Sequence, residues 1–158
     1  MEHSPGPLAQ RTAQWRLLQQ DLAAGEQVTL PVISGSMMPL IPAGARITVQ
    51  GLGPAEIPEV GEVVVFRDRD RLVAHRLLFF CPLPSPGWYL QRGDGASPAG
   101  VVGRARICGR VVAVSRPGDR DLDLTPAAAR HQGRRAARRS LWRWCRGGFL
   151  LARRKDPA

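Results

Sequence analysis

GEVVVFRDRDRLVAHRLLFF, residues 61–80, decides the fold. Glu62 to Phe66 is a short run of β-branched and aromatic side chains, suited to a buried strand. Arg67 to Arg71 alternates charge and reads as a hairpin tip, and Arg71 to Phe80 returns as the next strand. Two such strands in 20 residues point to a β-rich antiparallel fold.

The same grammar extends to either side. Val28 to Ile33 is β-branched and ends in the turn-like cluster Ser34-Gly35-Ser36. Arg46 to Gln50 alternates apolar and polar residues, and Gly51 to Pro58 is a Gly- and Pro-containing loop. Downstream, Pro82 to Gly87 reads as a loop, Trp88 to Gln91 as a short extended segment, and Arg92 to Gly100 as a turn-rich loop. Ile107 to Ser115 is the last predicted strand, with Gly109 at a bend. Several short strands at this spacing predict a mainly β domain, a coiled antiparallel sheet or partial barrel.

Two helices are expected to flank it. Leu8, Trp15, Leu18 and Leu22 fall on one helical stripe, and Gly25 supplies a C-terminal stop. After a polar stretch, Pro126 can open a second helix running to about Arg146. The organisation is therefore 1–7 disordered, 8–25 helix, 26–116 central domain, 117–125 linker and 126–158 basic amphipathic tail.

Charge follows that division. Residues 1–125 hold 13 Arg against 12 Asp and Glu, whereas Arg130 to Lys155 holds 10 basic residues and no acid. The net charge of +10 thus belongs to the tail, and the central domain need not meet an anionic partner. The three cysteines, Cys81, Cys108 and Cys145, fit no metal-ligand spacing and no disulfide framework, so no metal or other cofactor is expected. No run reaches the roughly 18–20 apolar residues that span a bilayer. Met1 to Gln10 lacks the basic start and apolar core of a signal peptide. The expectation is a cytoplasmic protein.

Three places could carry chemistry. Ser34-Gly35-Ser36-Met37-Met38-Pro39 is a tight turn with exposed hydroxyls at the end of a strand. A serine hydroxyl needs a nearby base to become a nucleophile, and His75, in Val73-Ala74-His75-Arg76, is the one histidine inside the central domain. Arg92-Gly93-Asp94-Gly95 supplies an acid that either caps a turn or orients the imidazole.

The order of these blocks resembles the type I signal peptidase family. The blocks are Ser-Gly-Ser-Met-x-Pro, then Gly-Glu-Val-Val-Val-Phe, then Ala-His-Arg, then Arg-Gly-Asp, then Val-Val-Gly-Arg-Ala-Arg-Ile-x-Gly-Arg-Val. The match covers about Val32 to Val114 and looks most like the archaeal and endoplasmic-reticulum branch. That branch uses histidine where the bacterial enzymes and LexA-like repressors use lysine. The resemblance implies a serine endopeptidase cleaving a precursor peptide or protein. It makes Ser36 the nucleophile, His75 the general base and Asp94 the acid. Ser34 and the Ser36 backbone N–H would form the oxyanion hole. Gly35, Met37, Pro39, Arg76 and Gly93 would support the motif.

Three departures from the family matter, the slightest being Glu62 where the family's Gly-Asp-Val-Val block has aspartate. Relatives of the histidine type carry further aspartates after the Gly-Asp block, but Gly95 to Gly100 contains none. Asp94 then serves alone, or a Ser-His dyad operates, or the scaffold is an inactive peptide-binding module. The family's transmembrane anchor also has no counterpart, which suits a short form acting on a cytoplasmic precursor. With only about 30 residues before the motif, a helix-turn-helix does not fit and a repressor role is not expected.

The tail leaves three readings open. Arg130, Arg134, Arg135, Arg138, Arg139, Arg143 and Arg146 recur near helical spacing, among Leu141, Trp142, Trp144 and Phe149. Such a 130–155 segment fits peripheral contact with an anionic membrane or a partner, a solvated tail, or, least favoured, nucleic acid.

Overall fold

The computed structural model describes residues 16–53, 55–69, 71–95, 97–125 and 133–142. Eight strands form one antiparallel sheet that is not closed, with two helices packed beside it. The strands are β1 (Gln27–Pro31), β2 (Arg46–Gly51), β3 (Val63–Asp68), β4 (Arg71–Cys81) and β5 (Trp88–Arg92). They continue as β6 (Gly100–Gly103), β7 (Ile107–Ser115) and β8 (Leu122–Asp123). The order across the sheet is β1-β2-β7-β3-β4-β5-β6, with β8 on the edge of β7. The helices are α1, helical over 16–23, and α2, helical over 133–142.

The 61–80 hairpin is the centre of this sheet. β3 and β4 pair from Val63↔Arg76 to Asp68↔Arg71, so the charged tip is reduced to the single turn after Asp68. Val63 to Phe66 are all buried because both faces of β3 are covered. Val63 and Val65 join Ile47, Val49, Val111 and Val114 in one core. Val64 and Phe66 join Leu77, Tyr89, Val102 and Ile107 in a second.

α1 packs on the first core through Leu22, which is 2% exposed. Its end is a Schellman cap: Glu26 N–H bonds Asp21 O at 3.0 Å and Gly25 N–H bonds Leu22 O at 3.1 Å. Gly25 takes a φ of +79°, as the stop signal predicts. The helix lies directly on β2, where a Cβ on Gly51 would sit 1.9 Å from Leu22 O. The predicted stretches 1–7 and 8–15 lie outside the described residues.

Three expectations differ from the structure. The segment read as a turn-rich loop to Gly100 gives way there to a strand, since Gly100 to Gly103 pairs with β5 as β6. The 117–125 stretch is more than a linker: Leu122 and Asp123 pair with β7, and Leu124 N–H bonds Val112 O at 2.8 Å. The described part of the tail is docked on the domain. Ala137 of α2 is buried, and Arg134 bridges Glu59 at 2.9 Å. Gly133 permits that approach, because a Cβ there would lie 2.6 Å from Gly61 O. A cavity of about 560 Å³ remains between α2 and the 57–60 loop, lined by Ile57, Pro58, Val60 and Phe80 with Arg134 and Arg138. The tail from 143 onward, with Arg143, Trp144, Arg146 and Phe149, and its start at 126–132, lie outside the described residues. No described helix is long and apolar enough to cross a membrane.

Candidate active site

The Ser34–Pro39 turn follows β1 and is held from below by its own apolar residue. Met37 is 2% exposed and belongs to the first core. The chain then coils tightly, with Met38 N–H on Gly35 O at 3.0 Å and Ile41 N–H on Met37 O at 2.9 Å. This leaves Ser34 exposed and Ser36 half-buried, their Oγ atoms 3.4 Å apart.

The turn is held from the side by the residues after β5. Gly95 N–H donates to Ser36 O at 3.0 Å. A Cβ on Gly93 would fall 2.2 Å from the same oxygen, so only glycine allows the contact. Gly93 therefore has a close steric reason to be glycine.

His75 lies on β4, paired with Val64 of β3. Its ring stands edge-on to Phe66, centroids 6.0 Å apart and planes at 64°. Its Nδ1 meets Gln91 Oε1 at 2.5 Å. Nε2 has no hydrogen-bond partner among the described residues. Burial pushes the imidazole below its ordinary value of 6.5, opposed by the Gln91 bond and the nearby Asp94 charge.

Register connects His75 to the serine turn. β4 and β5 pair at Leu77↔Gln91 and Arg76↔Arg92. One residue beyond the end of β5, Gly93 meets the serine turn. Met37 packs the turn on the core face of Val63 and Val65, whereas His75 stands with Val64 and Phe66. In the resting structure the Ser36 hydroxyl bonds Ser34 rather than His75.

Arg76 points to the opposite face and is 5% exposed. Its Nε and one terminal nitrogen donate to the two oxygens of Asp94 at 2.8 and 2.6 Å, and its other terminal nitrogen donates to Gly61 O at 2.7 Å. The resemblance made Asp94 the acid for His75; its hydrogen bonds here go to Arg76. Asp94 spends both carboxylate oxygens on Arg76, on the face away from His75, and makes no hydrogen bond to the imidazole. The acceptor at Nδ1 is Gln91, a residue the sequence reading passed over. Only the β4–β5 register reveals it, since Gln91 is diagonal to His75 across the two strands.

No protein-family model matches the chain. No curated protein matches it at a significant level.

The Arg76–Asp94 pair still bears on the site. Asp94 lies between Gly93 and Gly95, the two residues that carry the Ser36 carbonyl. The bidentate pair fixes that segment against β4, with planar fork geometry that only arginine provides. Gly61, the third anchor of Arg76, is the residue on which α2 rests. Among the described residues no three His, Cys, Asp or Glu side chains cluster in a way that could hold a metal ion. Cys81 and Cys108 are free thiols, and burial pushes the Cys108 thiol up, away from reactivity.

Proposed function

We propose that the protein is a serine endopeptidase of the signal-peptidase and LexA-like kind, working through Ser36 and His75. The observation that supports this reading is the segment joining the two residues: β5 pairs with the His75 strand, and Gly93 and Gly95 just after it hold the Ser36 carbonyl. The serine is half-buried on a tight turn, and the imidazole has its Nδ1 bonded and its Nε2 without a partner among the described residues. Ser36 Oγ attacks a peptide carbonyl while His75 Nε2 takes its proton. The developing oxyanion is met by Ser34 Oγ and the Ser36 backbone N–H. Such donors typically contribute about 10²–10³ in rate each. His75 returns the proton to the leaving amine, and water then hydrolyses the acyl-serine by the same route in reverse. The hydroxyl rotates from Ser34 to His75 when substrate docks, since catalytic hydrogen bonds tighten in the substrate complex.

The exposed row Arg135, Arg138 and Arg139 on α2, with Trp142 59% exposed, supports peripheral attachment to an anionic bilayer. One observation favours a second reading, a peptide-binding module without activity: the resting Ser36 hydroxyl bonds Ser34 and not His75.

A mixed peptide library separates the two. The enzyme reading expects cuts by wild type that vanish in Ser36→Ala and His75→Ala. Peptide retention by all three proteins with no cut anywhere would support the binding module instead.

A further inference from the structure

We propose that Gln91 is the positioning residue of this site: its side-chain oxygen holds His75 in the Nδ1–H tautomer that leaves Nε2 free to accept the Ser36 proton. The inference rests on the Ser36–His75 reading and assigns to a neutral amide the task that a carboxylate performs in a triad.

The geometry fixes the amide as well as the ring. Gln91 is 8% exposed and sits on a strand paired on both sides, with Leu77 of β4 and with Gly100 of β6. Gly100 makes room for it, because a Cβ there would lie 2.6 Å from Gln91 Nε2. The ring is fixed in turn by its edge contact with Phe66. A histidine side chain free in water favours the Nε2–H form, which has no lone pair where Ser36 needs one. Which nitrogen carries the proton is set by the bond the other makes. An oxygen 2.5 Å from Nδ1 selects the productive form.

A neutral acceptor has a second consequence. It orients the ring without adding a negative charge to stabilise the imidazolium. The groups around the ring are few. β3 brings Val64 and Phe66, β5 brings Gln91, and the Arg76 guanidinium is turned to Asp94 and Gly61. Asp94, beyond the end of β5, is the charge that acts on His75, and burial outweighs it. Replacing the amide by a carboxylate would therefore raise the basicity of the imidazole and move the acid limb of activity to higher pH.

The test is nitrogen NMR of the whole protein labelled at histidine, with His75→Ala to assign the His75 ring. Wild type is expected to show Nδ1 protonated and Nε2 unprotonated above the ring's titration. Gln91→Leu loses that preference and lowers kcat about 10²-fold with KM nearly unchanged, within the range general-base catalysis contributes. Gln91→Glu restores both tautomer and turnover and shifts the acid limb upward. Gly100→Ala, which pushes on the amide without removing it, disturbs the tautomer if Gln91→Leu does not fold. An Nε2–H ring in wild type, the result of the amide facing the other way with Nε2 donating, overturns the proposal. So does a Gln91→Leu ring that keeps Nδ1–H. The tautomer reads out with no substrate present. If the ring behaves as expected while wild type cuts no peptide, the peptidase reading fails and the positioning role stands.

Discussion

Two neighbouring side chains on β4 are held in opposite ways. Arg76 is locked: both faces of its guanidinium fork are used, on Asp94 and on Gly61, and almost none of it meets solvent. His75, one residue away on the other face, has a single neutral hydrogen bond and one ring contact. A strand places successive side chains on opposite faces. Here it puts a structural clamp behind the sheet and a group with a free lone pair in front. The clamp positions the backbone that carries Ser36, and the imidazole is left able to gain and lose a proton.

Breaking the clamp should have the largest effect. Asp94→Ala strands a buried guanidinium, because the two side chains of the pair are only 6% and 16% exposed. Removing one partner of a buried pair costs about 3–5 kcal/mol. Urea unfolding should register that loss, and activity should fall with it as Gly93 and Gly95 lose their anchor. Asp94→Asn, which keeps an acceptor, should lose less of both. A triad acid would behave differently, costing turnover without a comparable loss of stability.

Gly93→Ala comes next and strikes the serine turn itself. The added methyl would meet Ser36 O at 2.2 Å, and that oxygen is backbone. Overpacking of this sort costs about 1–3 kcal/mol. A serine displaced by an ångström can lose about 10²-fold in rate. Measured together, kcat should fall more than stability predicts.

The pH dependence of folding is a smaller effect with a definite sign. His75 is depressed in the folded state, chiefly by burial. The unfolded chain, with an ordinary histidine near about 6.5, then binds the proton first as pH falls. The stability this gives neutral His75 is fully present above pH 6.5. It declines as pH drops from there through the folded value. Urea midpoints of wild type and His75→Gln, followed from pH 8 to 5, should converge over that window.

The smallest effect lies at the surface. Arg134 and Glu59 join α2 to the 57–62 loop, but they are 64% and 48% exposed. Glu59→Gln should cost about 0.2–1 kcal/mol, and less in high salt. Gly133→Ala should disturb α2 more, because its methyl meets Gly61 O.

What could be read from the sequence was what depends on local pattern. The apolar run Val63 to Phe66, the alternation of Arg46 to Gln50 and the stop at Gly25 each appear as strand, strand and cap. What could not be read depends on long-range pairing. β6 is Gly-Val-Val-Gly, whose flanking glycines signal a turn until β5 lies beside it. β8 is two residues long and exists because β7 offers an edge. The same holds at the site. Ser36 and His75 carry distinctive chemistry in distinctive sequence. Gln91 looks like any polar residue of a strand until the register sets it diagonal to His75. Asp94 reads as an acid available to His75, and the Arg76 fork that takes both its oxygens appears only in the folded chain.

The central claim is that Ser36 and His75 act as one unit. It is tested most directly by the hydrolysis rate of one cleaved peptide in wild type, Ser36→Ala, His75→Ala and the double variant. A nucleophile and its base are far from additive: either loss removes nearly all that both provide. The account predicts that the double variant is no slower than either single one. Two independent losses that multiply in the double variant, or a His75→Ala protein as fast as wild type, would contradict it.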